Sequence, residues 1–224
     1  MSHKGPLLNV DCAKWLQVIR GITNSTNERT LLTGNIPGAG VGHSAPVVDY
    51  ERGRSVASML VLSNMNSLPL DWAARLSVGG VNMSFFIVKQ LPVLPPEEYM
   101  ETVRSGLPTY AEMIVPRALE LTYTASDLEE FARNIGYGGR PFPWDDRRRH
   151  CLQSELDAIY AHMYGLDRTD IEWILEPSSP SSSFPALKRN EMENFGEYLT
   201  RRLVLTAYDR LARGENPDLE ESLS

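Results

Sequence analysis

The sequence predicts an α+β fold, in which a mixed α/β part is followed by a mainly helical part. Short apolar runs bounded by Gly, Asn and Pro characterise residues 1–96, whereas apolar residues at three- and four-residue steps characterise residues 97–214. Three prolines within residues 92–96 separate the two patterns, and we place a domain boundary there. Residues 215–224 are expected to form a polar, frayed tail.

The first part is expected to contain two strands and a helix. The strands are RTLLTGNI at residues 29–36 and SFFIVKQLPVL at residues 84–94, where Leu, Ile, Phe and Val cluster in short runs. Between them, residues 55–77 repeat apolar side chains at helical spacing, which predicts a helix bent near Pro69.

The second part is expected to consist of helices. Residues 125–139 start with Ser126 as a candidate N-cap, place Glu129 at the capping-box position and stop at Gly136. Further helical spacing is found in three segments, WDDRRRHCLQSELDAIYAHMYG, DRTDIEWILE and NEMENFGEYLTRRLVLTAYDRLARG. The segment PSSPSSSFP, residues 177–185, has the composition of a flexible loop.

Composition and charge limit the classes of function. The chain has 224 residues, 42% of them hydrophobic, and a net charge of −7. Residues 1–96 carry 8 Lys and Arg against 5 Asp and Glu, whereas residues 97–224 carry 14 against 24. The acidic total argues against nonspecific coating of nucleic acid, but a mildly basic part can present a local phosphate-facing surface. Without an apolar span or a signal-peptide core, we expect a cytoplasmic protein with no membrane partner.

A glycine cluster, GAGVG at residues 38–42, follows a predicted strand as in loops that bind nucleoside cofactors. Such a loop must lead into a helix, but here Pro46, Val47 and Val48 oppose one. A turn between strands is therefore the favoured interpretation.

Other catalytic patterns lack the residues to support them. The four histidines have no metal-ligand spacing, the two cysteines form no CxxC pair, and no GxSxG or Walker lysine loop is present. The acidic pairs Asp145-Asp146 and Glu129-Glu130 lie at predicted helix starts, where the helix dipole favours them. We assign no catalytic, cofactor-binding or metal residue.

Two polar segments remain as binding candidates, RGITNSTNERT at residues 20–30 and VNMSFFIVKQ at residues 81–90. Their side-chain types contact phosphates and read base edges. Capped turns and solvated loops use the same residues, so composition alone leaves both interpretations open.

Five blocks in order resemble the C-terminal region of large adenine-specific DNA methyltransferases of type IIG-like and related restriction-modification or phage-defence systems. The resemblance extends over residues 15–211. The blocks are RGITNSTNERTLLTGNIPGAGVGHSAP, SNMNSLPLDWAARLSVGGVNMSFFIVKQLPVLPPEEY, IVPRALELTYTASDLEEFARNIGY, LDAIYAHMYGLDRTDIEWIL and FGEYLTRRLVLTAYDRL.

The resemblance implies a target-recognition part without its catalytic part. In that family a Rossmann-like domain binds S-adenosylmethionine and methylates adenine N6, using a glycine-rich motif and an Asn-Pro-Pro-Tyr type tetrapeptide. This sequence has no such tetrapeptide, and only Asn216-Pro217-Asp218 comes near it. S-adenosylmethionine is therefore expected on a separate catalytic domain or subunit, and residues 38–42 are expected to be a loop of the recognition domain.

We accordingly expect residues 1–96 to be a target-recognition-like domain that binds double-stranded DNA. We expect residues 97–214 to be a helical domain that contacts the catalytic part or orients the recognition part. The alternative is a protein-interaction module from a truncated methyltransferase gene, without DNA binding of its own. The candidate DNA contacts are Arg20, Arg29 and Lys89 for phosphate or guanine, Asn27, Asn82 and Gln90 for adenine edges or backbone, and Thr26 beside them.

Overall fold

The computed structural model describes residues 14–50, 55–176 and 183–219. The strands are β1 (Trp15–Ile19), β2 (Thr33–Pro37) and β3 (Val47–Val48). The helices are α1 (Ser55–Met65), α2 (Leu68–Ser77), α3 (Phe85–Val88), α4 (Tyr110–Thr122), α5 (Glu129–Asn134), α6 (Asp146–Met163), α7 (Arg168–Leu175), α8 (Pro185–Phe195) and α9 (Leu199–Ala212). One small sheet with many helices confirms the α+β class.

The sheet has the order β2-β1-β3, and both pairings are antiparallel. Its central strand β1 is not predicted from the sequence, and β2 covers only the second half of the predicted strand at residues 29–36. The glycine cluster lies between β2 and β3 in the sequence, and these two strands lie on opposite sides of β1 in the sheet. It is thus a connection between strands, as the sequence indicates, and no helix follows it directly.

The predicted bent helix is a pair of helices. α1 ends at Met65 and α2 begins at Leu68, with Pro69 in the first turn of α2, where its missing N–H disrupts no helical bond. At the break, the Asn66 side chain accepts a hydrogen bond from the Thr33 N–H and donates one to the Thr33 carbonyl, both at 2.9 Å. The break therefore fixes the helices against β2.

The predicted strand at residues 84–94 is wrong. Ser84 caps the short helix α3 by accepting a hydrogen bond from the Ile87 N–H, and residues 89–94 contain no strand. An N-capping serine before an apolar run favours a helical turn. The strand prediction depends on the apolar run alone and does not consider this cap.

The acidic pairs lie where the sequence predicts. Asp145 caps α6 by accepting a hydrogen bond from the Arg148 N–H, and Glu129 and Glu130 lie in the first turn of α5. The predicted capping role of Ser126 is wrong, because Ser126 is the first residue of a 3-10 turn that has no side-chain cap. Gly136 follows α5 with φ at 97°, a conformation that glycine adopts without strain.

The last predicted helix is also two helices. α8 and α9 are separated at Gly196, whose φ of 74° ends α8 in the left-handed conformation. The predicted loop at residues 177–185 lies largely outside the described residues. Its last residue, Pro185, is the first residue of α8, a position that proline favours.

The main hydrophobic core joins both parts of the chain. It includes Met59, Leu60 and Leu62 of α1 together with side chains of α4, α6 and α9, while a smaller core around Ile19, Leu31 and Leu70 lies under the sheet. The boundary at residue 96 stays a prediction, and the two parts are packed against each other.

Residues 215–219 are held in place, which corrects the prediction of a frayed tail there. Arg117 donates hydrogen bonds to Asn216 at 3.0 Å and to Asp218 at 2.5 Å, and the Leu219 N–H donates to Glu155 at 2.9 Å. The Leu219 side chain is fully buried. Residues 220–224 lie outside the described residues.

Candidate functional site

The backbone brings the two polar segments side by side. The Thr23 N–H donates to the Val81 carbonyl at 3.0 Å, the Met83 N–H donates to the Gly21 carbonyl at 2.8 Å, and Ile22 and Asn82 form an antiparallel bridge between these bonds. Sequence patterns could not show this pairing, because nearly sixty residues separate the segments.

Gly21 fits this position because the backbone of another loop approaches it. Its N–H donates to the Ser44 carbonyl at 2.8 Å. A Cβ at residue 21 would lie only 2.9 Å from that carbonyl oxygen and 3.3 Å from Pro46 Cδ, which is closer than van der Waals packing allows. Three segments of chain thus meet at Gly21, including the connection that contains the glycine cluster.

Arg20, Asn27 and Thr26 share one loop surface. The exposed Arg20 guanidinium donates from Nη2 to Thr23 Oγ1 at 3.3 Å and, with the Asn27 amide oriented to satisfy its surroundings, to the Asn27 oxygen at 2.8 Å. Thr26 is exposed, and its N–H and hydroxyl both donate to Asn24 Oδ1. The hydrogen-bond partners of the Arg20 guanidinium in this turn are therefore neutral side chains.

Arg29 belongs to the interior. Its Nη2 donates to Asp157 Oδ2 at 2.8 Å, and Asp157 Oδ1 accepts a hydrogen bond from the Leu68 N–H at 2.7 Å. Burial lowers the pKa of Arg29, but Asp157 and Asp71 outweigh that effect and the pKa is raised. Arg29 therefore ties the loop to α6, and its buried Nη1 atom has no partner in the described residues.

A second buried ion pair fixes the same loop from α2. Arg75 Nε donates to Asp71 Oδ2 at 2.8 Å, and the other Arg75 nitrogens donate to the carbonyls of residues 25, 27 and 28. Asp71 Oδ1 accepts hydrogen bonds from the N–H groups of residues 30 and 31. Neither residue is among those predicted from the sequence, although an Asp and an Arg four residues apart on a helix favour an ion pair.

The second polar segment is exposed. Asn82, Lys89 and Gln90 are all exposed, with Lys89 at the C-terminal end of α3. Large apolar side chains accompany them, and the exposed ones are Ile22, Leu76, Val81, Phe85 and Phe86. Phe86 is 75% exposed, so the segment offers aromatic as well as polar contacts.

A cleft of about 830 Å³ opens beside the first segment, and Arg20, Asn27 and Arg29 line one side of it. β2, α1, α4, α6, α8 and α9 contribute to the rest of its wall. Asn35 of β2 lines the cleft with both amide atoms buried and without a hydrogen-bond partner in the described residues. Thr26, Asn82, Lys89 and Gln90 do not line it, so the candidate residues divide between the cleft and the adjoining surface.

The far wall of the cleft contains a polar cluster on α6, α8 and α9. The Thr200 hydroxyl donates to Glu191 at 2.5 Å, and His150 Nε2 lies 3.0 Å from that hydroxyl and 3.3 Å from Glu191. Because the Thr200 proton is directed to Glu191, the hydroxyl is not arranged as a nucleophile activated by the histidine. The cluster joins helices.

Arg149 lies beside this cluster with neutral contacts. Its Nη1 donates to the Leu121 carbonyl at 2.9 Å, and its guanidinium lies 3.8 Å from the Trp144 ring centroid. Burial lowers the pKa of Arg149, yet an arginine stays charged at neutral pH.

In residues 14–50, 55–176 and 183–219, no group of three or more His, Cys, Asp or Glu side chains is placed to hold a metal ion. In the same residues, no helix is both long and apolar enough to cross a membrane.

Comparison with known proteins yields no matching family model, no matching curated protein and no matching solved structure.

Proposed function

We propose that the chain is the DNA sequence-recognition part of an adenine-N6 DNA methyltransferase or restriction-modification enzyme. The observation that supports it most is the pairing of residues 21–23 with residues 81–83, because it joins the two candidate DNA-contacting segments into one surface. The resemblance to methyltransferase C-terminal regions implies the reaction, which is adenine-N6 methylation. The paired segments are the surface that we propose to bind DNA.

Uncompensated positive charge supports a contact with phosphate. Within the described residues neither Arg20 nor Lys89 forms an ion pair, so both cations are available to an anionic partner. Arg29 has its charge balanced by Asp157. We therefore assign phosphate or guanine contacts to Arg20 and Lys89 first.

The neutral polar residues on this surface suit base reading. Asparagine and glutamine amides pair with the N6 and N7 atoms of adenine in the major groove, a role open to the exposed Asn82 and Gln90. We assign a contact with the DNA to the exposed Thr26. Since Arg75 and Asp71 hold the loop of residues 24–31, this surface is preorganised.

The remaining components of the proposal lie on other molecules or domains. Residues 97–224 carry an excess of acidic side chains that repels phosphate, so the helical part would contact the catalytic methyltransferase domain or subunit. S-adenosylmethionine would bind to that partner, which would extrude the target adenine. We also propose a cytoplasmic location, because a protein that recognises DNA must be in the same compartment as the DNA.

The test is binding of a fluorescent duplex by anisotropy at several salt concentrations. The Arg20→Gln and Lys89→Gln variants should each bind more weakly and show a slope of log K against log salt that is smaller by about 0.9. The control, Arg133→Gln, removes an equal charge from α5, where Arg133 pairs with Glu129, and should leave the slope unchanged. Equal slopes in all four proteins would contradict the assignment.

The exposed apolar side chains favour a second candidate function, a protein-interaction module. Phe85, Phe86, Val81 and Ile22 are each at least 59% exposed, and clustered apolar side chains at a surface mark sites of protein contact. Light scattering after size-exclusion chromatography separates the candidates. Self-association that Phe86→Ser abolishes, together with no affinity for duplex DNA, would favour this second function.

A further inference from the structure

The Asn35 amide is the feature of the cleft that the fold itself does not explain. Asn35 is 8% exposed, and both its Nδ2 and its Oδ1 lack a hydrogen-bond partner in the described residues. Its cross-strand neighbour Gln17 is fully satisfied, since Gln17 Nε2 donates to Thr33 at 3.1 Å and Oε1 accepts from Ser58 at 3.0 Å.

An unsatisfied buried amide destabilises a fold, because both of its polar atoms lose their bonds to water. A ligand that supplies an acceptor and a donor in one plane removes this cost. Nucleobase edges have that pattern, as in the pairing of an asparagine amide with adenine N6 and N7.

The cleft has the size and walls for such a ligand. Its volume of about 830 Å³ lies within the range of small-molecule sites. Leu62, Leu121 and Leu156 line it and offer apolar contact to the faces of a base.

Three arginines line the same cleft together with three acidic residues, Glu28, Asp157 and Glu191. Arg29 has a buried Nη1 without a partner, although its Nη2 is held by Asp157. Arg20 and Arg149 contribute guanidinium groups that have neutral hydrogen-bond partners in the described part of the chain. Arginine N–H groups of this kind bind phosphate oxygens.

We propose that this cleft binds a mononucleotide, with the base edge on the Asn35 amide and the phosphate on Arg20 and Arg149. The nucleotide is either free in solution or one unit of a DNA strand, and both present the same groups to the cleft. The site shares Arg20 with the proposed duplex-binding surface, whereas Asn35 and Arg149 belong to the cleft alone, and nucleotide binding does not depend on duplex binding.

Calorimetric titration with AMP, GMP, CMP and UMP tests the site on the full chain. At least one nucleotide should bind with a dissociation constant below about 1 mM. Asn35→Leu should weaken that binding at least about tenfold, since the bidentate contact is lost. The same variant should melt at a temperature equal to or above that of the wild type, because it removes an unsatisfied polar group.

The control variant is Asn134→Leu, an identical substitution at an exposed site on α5, which should bind as the wild type does. Displacement of the bound nucleotide by duplex DNA in both the wild type and Arg20→Gln, which lacks the shared arginine, would assign the site to a base of a strand, and binding of both at once would assign it to a free nucleotide. The absence of binding by all four nucleotides at about 1 mM, or equal affinity in Asn35→Leu and the wild type, would overturn the proposal.

Discussion

Arg29 and Asp157 connect a surface loop with the middle of α6, and Arg75 and Asp71 connect the same loop with α2. The buried Arg75 and the partly buried Arg29 balance two buried anions, and backbone N–H groups satisfy the remaining carboxylate oxygens. Such a network stabilises only when complete, because each member left alone is an uncompensated buried charge.

Asp157→Asn tests this network at one atom pair. The substitution keeps the shape of the side chain and leaves Arg29 unpaired, so the free energy of unfolding should fall by about 3 kcal/mol in urea denaturation. The double variant Arg29→Met with Asp157→Leu should recover much of the loss, because neither charge stays buried alone. A loss in the double variant as large as the sum of the losses in Arg29→Met and in Asp157→Leu alone would argue against the pairing.

His162 is expected to make the stability of the fold depend on pH. Burial lowers the pKa of His162, and its Nδ1 lies 2.8 Å from the Tyr110 hydroxyl. Below pH 6.5 the imidazole therefore binds a proton more readily in the unfolded chain than in the folded chain. The contribution of His162 to the free energy of unfolding is fully present above pH 6.5 and is lost as the pH falls through the lowered pKa.

The corresponding experiment compares melting temperatures at pH 7.5 and pH 5 in the wild type and in His162→Gln. The wild type should lose stability on acidification, and the variant should lose less over the same interval because this imidazole is absent. An identical change in both proteins would show that other groups carry the pH dependence.

Helix capping separates two segments that look alike in sequence. Asp167 caps α7 in a capping box with Asp170, whereas Ser126 makes no capping bond despite the Glu129 three residues later. Asp167→Ala should therefore destabilise the fold by about 1 kcal/mol, and Ser126→Ala should change it by less than about 0.5 kcal/mol. Thermal unfolding measures both, and equal losses would contradict the observed caps.

The elements that the sequence predicts best are those with local causes. The interruption near Pro69 and the start of α6 at Asp145 depend on residues within one turn. β1 depends on pairing with strands remote in sequence, and α3 depends on one capping serine against a strongly apolar run, so pattern alone misjudged both.

Residues 215–219 pack against the main hydrophobic core. Leu219 is fully buried, and its N–H satisfies the buried Glu155 carboxylate. Leu219→Ala should lower the free energy of unfolding by about 2–3 kcal/mol, whereas the same change at Leu76, which is 71% exposed, should cost less than about 0.5 kcal/mol. Equal values in chemical denaturation would show that residues 215–219 do not stabilise the fold.

Only part of the candidate site could be predicted from the sequence. The polar segments at residues 20–30 and 81–90 were identified by their composition, but the partner that holds Arg29 lies 128 residues away. Asn35 carries no local signal, because an asparagine in a strand draws attention only once its amide is known to be buried and unpaired.

Hydrogen–deuterium exchange of the chain with and without duplex DNA tests the central claim most directly, since it reports on both segments at once. The account predicts slower exchange in residues 20–30 and 81–90 together when DNA is bound, with little change in α7 and α9. Measurable binding that protects only the acidic helical part, or no change anywhere at DNA concentrations that saturate specific binders, would contradict the claim that this surface recognises DNA.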